Sequence, residues 1–392
     1  MNKKEFIIFK EELKLKINSH FKKIGYKFDD GNLKLNNFDK KNIRLAHNFQ
    51  KKEKVEKSKN RIIRSIPKIK KYFADGKDIC PKRISPELEF VESSTWQSDL
   101  FEIASMTWSI PVSVGYGRRI RMLVWDRYND KLMGILAIKD PAINLSARDR
   151  IIGWDSNLRH NQLINVMDSY VVGAIPPYNS LLCGKLVACL LKTKEIKDKF
   201  NTKYNRSIGI ISETKKNPKL VLITTSSALG RSSIYNRLKI DKEKFMHSVS
   251  YTEGFGHFHF SDSIIQDFKI LFKFNDKEVP SFEFGKGSNW KWRYIKAALK
   301  ILDIPLNTLN HGIKRELFFC PLAKNYLKIL NGKQIKPNYS DLKTVKEVSE
   351  LALDRWVLPR SLKDKSYQKI LVNEVIRDNI LGNNKEIYKK LV

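Results

Sequence analysis

The chain has 392 residues, 42% of them hydrophobic and 11% aromatic, and carries 74 Lys+Arg against 42 Asp+Glu, a formal charge of +32. A chain of this length buries one large core or two modest ones, which excludes intrinsic disorder as its main state, and 18 Gly with 13 Pro exclude a collagen-like or low-complexity composition. Uncompensated positive charge on this scale points to a polyanionic partner, nucleic acid first and an anionic membrane surface second.

Residues 1–83 hold 25 Lys+Arg and 10 Asp+Glu, and 40–71 alone hold 13 basic residues with only Glu53 and Glu56 as acids. Phe6, Ile7, Phe9, Leu13, Leu15, Ile17 and Phe21 recur at mixed helical spacing, and Gly25 marks the end of that helix. Residues 40–73 read as a further helix, with Ile43, Leu45, Ala46, Phe49, Ile62, Ile63, Ile66 and Ile69 as its apolar positions. Its charge is one-signed and lacks i,i+4 acid partners, which suits phosphate contact better than a solvated face.

Pro81, Pro86 and Ser93-Ser94-Thr95 mark a change of texture. Arg119–Trp125 and Leu132–Ile138, joined by a turn over Asp126–Asp130, read as an antiparallel hairpin. Helical spacing returns over Asn161–Met167, and Tyr170–Ile175 reads as a short strand stopped by Pro176-Pro177. Leu181–Leu191 reads as a helix, Leu220–Thr225 as a strand, Ser232–Leu238 as a short helix, and Ser248–Phe260 as one or two strands. From Lys291 onward the apolar spacing is helical. No repeat of 20–50 residues is visible. The expected fold is mixed α/β (α+β): a mostly antiparallel central sheet with flanking helices. A basic helical region (1–83), an α/β core (84–285) and a helical C-terminal region (286–392) make up the chain.

The N-terminal apolar run is too short for a signal peptide, and Leu181–Leu191 falls far short of the ~20 residues that span a bilayer. Cys80, Cys183, Cys189 and Cys320 form no CxxC pair, so the expectation is a soluble cytoplasmic protein with reduced thiols.

Four stretches could carry chemistry. In the turn after Tyr170–Ile175, Asn179 or Ser180 would cap a helix, with Gly184 and Lys185 on its first turns. That is either an anion site or an ordinary capped core helix. Thr224–Ser233 supplies hydroxyls, Gly230, Arg231 and Ser232 ahead of Tyr235 and Arg237, more than one cap requires, and points to phosphate or substrate contact without being a Walker A loop. His257 and His259 would share one face of a strand, as metal ligands, as acid/base groups or as structural residues. Gly115-Tyr116-Gly117 ahead of Arg118, Arg119 and Arg121 suits phosphate contact. The carboxylates Asp126, Asp140, Asp149, Asp155 and Asp168 are too scattered to define a two-metal nuclease, and no cofactor can be named.

The stretches GYGRRIRMLVWD, KLMGILAIKDPAINLSARDRIIGW, MDSYVVGAIPPYNSLLCGKLVA, TTSSALGRSSIYNRL, YTEGFGHFHF, HGIKREL with PLAKN, and RWVLPR resemble the DruA family, components of the bacterial Druantia anti-phage system. The resemblance runs from about His47 to Arg360. It implies antiviral defence alongside other Druantia proteins, including a large helicase-like partner, and related chains also occur near mobile elements. It carries over no catalytic residue. A second resemblance concerns element order, which is similar to acetyltransferase-like (GNAT) proteins and to the Mom-type phage enzymes that modify adenine in DNA. It would put Asn179–Lys185 in the place of a pyrophosphate loop and Tyr235 in that of a general acid, although the usual [RQ]xxGx[GA] loop is absent. The leading expectation is a DNA-binding defence component. The alternatives are a group-transfer enzyme using Tyr235, His257 and His259 for proton transfer, and a metal-dependent nuclease.

Overall fold

The computed structural model describes residues 3–29, 32–205, 217–240, 242–274 and 290–391. Helix α1 (Lys3–Lys23) leads into a short hairpin, Tyr26–Asp29 with Asn32–Leu35. Helix α2 (Lys40–Lys57) starts at Asp39, whose side chain accepts the Asn42 N–H at 2.7 Å, and α3 (Lys59–Ile69) follows a break at Ser58. The single helix expected over 40–73 is thus two. The break has a packing reason: Ile43 and Ala46 face one core while Val55, Ile62, Ile66 and Ile69 face another, and one straight apolar stripe cannot serve both.

The central sheet has seven strands: β1 (Pro86–Val91), β2 (Arg119–Asp126), β3 (Lys131–Lys139), β4 (Val166–Ala174), β5 (Leu222–Ser226), β6 (His247–Tyr251) and β7 (Glu316–Pro321). Their order is β1-β2-β3-β4-β5-β7-β6, and every neighbouring pair is antiparallel except β4 and β5. The expected mixed α/β architecture with a mostly antiparallel sheet is therefore present. The parallel pair is short. Val166–Asp168 pairs with Leu222–Thr224, after which β4 continues to Ala174 on β3 alone and β5 to Ser226 on β7 alone. The sheet forks there, and a bulge at Tyr170 shifts the register of β4 on β3.

One face of the sheet packs Met122, Val124, Leu136, Ile138, Ile223 and Phe318 against α5 (Cys183–Cys189) and α8 (Val345–Ala352). The other face is divided. Over β2–β4, Leu123, Trp125, Ile135 and Val171 pack against α3 and α4 (Trp96–Ser105); over β5 and β7, Leu222, Leu317 and Phe319 form a smaller cluster. A separate core joins α1, the hairpin and the first half of α2 to α6 (Asp262–Lys273) and α7 (Trp290–Ile301), through residues including Ile17, Phe21, Phe268 and Ile295.

Several local expectations change. The helix expected over Asn161–Met167 ends at Gln162, and Val166 already belongs to β4, where it pairs with Leu222 of β5. Leu181–Leu191 yields a helix only over Cys183–Cys189. Leu182 precedes it with a left-handed φ of 60°, so neither Asn179 nor Ser180 caps it. The helix expected over Ser232–Leu238 shrinks to a 3-10 turn, Tyr235–Arg237. The helical C-terminal region contains β7, and the expected boundary at 285/286 lies outside the described residues. No helix among the described residues is long and apolar enough to cross a membrane, and all four cysteines are free thiols.

Candidate functional site

The fork places β5 so that its exit loop, 226–238, crosses from one face of the sheet to the other. Leu222, Thr224 and Ser226 share a face by strand alternation, and Ser226 opens onto a cavity of about 440 Å³. Farther along, Gly230 (φ 75°) turns the chain, the Ser232 N–H donates to Glu316 Oε2 (3.0 Å), and Ser232 Oγ accepts the Tyr235 N–H (3.0 Å). Ile234 then reaches α5, within 3.8 Å of where a Cβ on Gly184 would stand. The two loops singled out from sequence therefore meet, though not at the cavity.

Their meeting point is cationic. Lys185 Nζ lies 5.2 Å over the Trp356 ring, and its pKa is lowered by burial and then by the charges of Arg237 and Arg355. Arg237 and Arg355 are exposed, and among the described residues none of the three forms an ion pair. Three like charges held together without an acid raise one another's energy, and an anion relieves this.

The cavity lies on the opposite face. Gln50 from α2, Leu145, Ser226, Thr252 and residues of the turn from Gly254 to Phe260, Lys291 from α7, and His311, Ile313 and Arg315 ahead of β7 line it. Among the described residues no carboxylate lines it, though Asp262 reaches Lys291 at 3.5 Å. Two glycines permit the turn. Gly254 (φ 75°) receives the Gly312 N–H at 3.0 Å, and a Cβ on it would stand 2.7 Å from the Gly312 carbonyl carbon. The turn replaces the strand expected through Phe260, so His257 and His259 do not share a face. His257 faces the cavity beside Trp292, with ring centroids 5.9 Å apart, whereas His259 is fully buried against Phe21 and Phe260.

Burial keeps the imidazoles neutral, with the His47 and His257 pKa values lowered to about 4, His259 to about 3 and His311 to about 2. Their hydrogen bonds set the tautomers. His259 Nε2–H donates to the Thr308 carbonyl (2.8 Å), and His311 Nδ1 accepts the Ile313 N–H (3.1 Å). His47 Nδ1–H donates to Gln50 Oε1 (2.7 Å) while its ring stacks on Phe258 at 4.0 Å. Among the described residues no group of three or more His, Cys, Asp or Glu could hold a metal.

Arg315 is the one fixed charge at the back of this wall. Its backbone N–H is spent on Thr252 Oγ1 (3.0 Å), and its buried Nε has no hydrogen-bond partner. Burial lowers its pKa, yet guanidinium stays protonated, so a desolvated cation stands without a counter-ion among the described residues.

The remaining sequence candidates take other roles. Arg118 does not face an open surface: its Nε and backbone N–H hold Asp140 (2.7 and 2.9 Å) and Nη1 holds the Ile164 carbonyl (2.8 Å), so its fork is occupied. Arg119 is exposed and donates to the Val114 carbonyl (3.1 Å). The Ser180 carbonyl accepts from Arg360 Nε (3.2 Å), while Asn179 is exposed beside it. Arg231 is exposed, and Tyr235 packs edge-on against Phe318 at 5.2 Å, with burial raising its pKa. In the basic helices, Lys59 pairs with Glu386 (2.6 Å), Arg61 with Glu102 (3.1 Å) and Lys57 with Asp262; Lys54 bonds the Val112 carbonyl (3.1 Å). Arg315 and Arg355 carried no chemical reading from sequence. Each lies within a string that carries the family resemblance, but the surroundings that set them apart are assembled from distant segments.

The described residues thus form an α/β protein with a forked sheet, a cationic cluster on one face and a cavity containing Arg315 and Lys291 on the other. The chain belongs to the DruA family: the family model described as Druantia protein DruA matches residues 37–332. It is 44% identical over 359 residues to Druantia protein DruA of Escherichia coli (strain UMEA 4076-1), covering 91% of this chain and 89% of that protein. DruA is a component of Druantia anti-phage defence. No solved structure matches the chain.

Proposed function

We propose that the chain binds nucleic acid through its phosphates, as the DNA-contacting component of a Druantia defence system that works with a helicase-like subunit. The observation that carries this reading is the cluster of Lys185, Arg237 and Arg355, drawn from three separate segments and forming no ion pair among the described residues. Evolved structures seldom gather like charges without a counter-charge unless a ligand supplies it. The net charge of +32 supports the same partner. Fluorescence anisotropy with labelled duplex and single-stranded DNA across 50–300 mM salt tests it. Affinity falls steeply with salt if the reading holds, and a flat salt response refutes it.

A second reading, group transfer to DNA or a nucleotide, is favoured by the sheet. The hairpin, the strand, the Pro-stiffened turn, the following helix and the single parallel neighbour keep the order that resembles acetyltransferase-like proteins, and the fork opens beside a substrate-sized cavity. Mass spectrometry of nucleosides from DNA exposed to the protein with candidate donors is the check. An unchanged profile under every donor argues against it.

A further inference from the structure

We infer that the cavity around Arg315 binds a phosphomonoester carried by a nucleotide-sized ligand, such as the 5′-phosphorylated end of a strand or a free mononucleotide. The phosphate chemistry stands on the cavity alone; only the polynucleotide as its source rests on the proposed function.

Arg315 is costly where it stands. A guanidinium removed from water with Nε unpartnered and no carboxylate beside it is unfavourable, and an apolar residue of similar volume would serve packing better. An anion in the cavity restores both the counter-charge and the missing hydrogen bond. The charge count sets the kind of anion. Among the described residues Arg315 and Lys291 are the fixed positive charges lining the cavity. Lys291 shares Asp262 (3.5 Å) with Lys57, so that one carboxylate answers only one of the two lysines, and the imidazoles of His257 and His311 stay neutral. Two positive charges match a phosphomonoester, with a charge of about −1.5 to −2 at pH 7, better than a diester carrying one.

Size and shape supply the rest. A volume of about 440 Å³ lies within the range of small-molecule sites and suits one nucleotide. Phe255 is 54% exposed at the rim, braced edge-on by Trp292 at 5.0 Å, and offers its free face to a planar ring. Phe258 cannot do the same, because His47 covers its face.

The experiment compares anisotropy of the same single-stranded oligonucleotide with a 5′-phosphate and a 5′-hydroxyl, with a nucleoside 5′-monophosphate as competitor. The 5′-phosphate form is expected to bind at least tenfold more tightly. Arg315→Met is expected to abolish that preference while leaving the unliganded melting temperature unchanged or raised, because it removes an uncompensated buried charge. Arg315→Lys keeps the charge without the fork and retains part of the preference. Phe255→Ala weakens the mononucleotide several-fold without affecting inorganic phosphate. Competition by mononucleotide at matching affinity identifies a free nucleotide as the source; failure to compete identifies a strand end. Equal affinity for the two ends without mononucleotide binding overturns the inference, as does a preference that survives Arg315→Met. In either case, salt-dependent DNA binding at the Lys185 cluster would stand or fall separately.

Discussion

Replacing Lys185, Arg237 and Arg355 together by Ala, Gln and Gln isolates the phosphate contacts on which the proposed function rests. Each phosphate neutralised on duplex DNA contributes a slope of about 0.9 to the fall of log affinity with log salt. Three contacts therefore account for a slope of roughly 2.7, which over a fourfold rise in salt is a loss of about 40-fold in affinity. The variant should bind weakly at 50 mM salt and lose less on going to 200 mM than the wild type, so the two curves converge. Lys185 packs on Trp356, so the variant's melting temperature must be recorded first and binding measured well below it. A matched control is Arg127→Gln, whose side chain is already committed to Glu87 (2.7 Å) and Asp130 (3.3 Å). The control should leave the slope untouched. A folded triple variant with the wild-type slope and affinity refutes the assignment.

Arg118→Ala should lower stability by about 2–4 kcal/mol in urea unfolding, since Asp140 and the Ile164 carbonyl lose a half-buried partner, and should leave the salt slope of DNA binding unchanged. Gly254→Ala forces a side chain onto backbone 2.7 Å away at a left-handed φ and should cost about 2–4 kcal/mol by the same assay. Burial, then the hydrogen bond and charge of Asp262, raise the Glu53 pKa to about 7. The folded state thus holds this proton more tightly than the unfolded chain, so the group's contribution is full below the unfolded carboxylate range and is lost as pH rises through about 7. Glu53→Gln should flatten the melting temperature between pH 5 and 7.5, and an unaltered pH profile would remove Glu53 as its source.

What sequence made legible follows from how local each signal was. The hairpin of β2 and β3 announces itself through apolar runs on either side of a turn, and α1, α2 and α7 through helical spacing. Strand β7 stays hidden because Leu317, Phe318, Phe319 and Cys320 are buried on both faces, and a continuous apolar run has no alternation to read. The turn at His257 is hidden for another reason. Its glycines act through a contact between Gly254 and Gly312, 58 positions apart, whereas alternating Phe and His residues imitate a strand. The site suffers most from this. The loops at Asn179–Lys185 and Gly230–Tyr235 are recognisable, but the cations that lie at their two ends in the fold, Arg355 and Arg315, come from elsewhere in the chain.

The same distinction governs the charge. An excess of lysine and arginine in 40–71 looks unpaired when only i,i+4 neighbours are considered, yet Asp262, Glu386, Glu102 and Asp99 reach four of the thirteen cations, Lys57, Lys59, Arg61 and Arg64, from other elements. Those pairs tie α2 and α3 to the rest of the fold, and as partly exposed ion pairs they contribute orientation more than stability. The surplus that remains includes the Lys185 cluster and Arg315, neither of which forms an ion pair among the described residues. The loop 226–238 runs between these two places, and its ends are fixed by hydrogen bonds to Glu316 and by packing of Ile234 beside Gly184. The loop thus joins the two places as one segment tied both to the sheet and to α5.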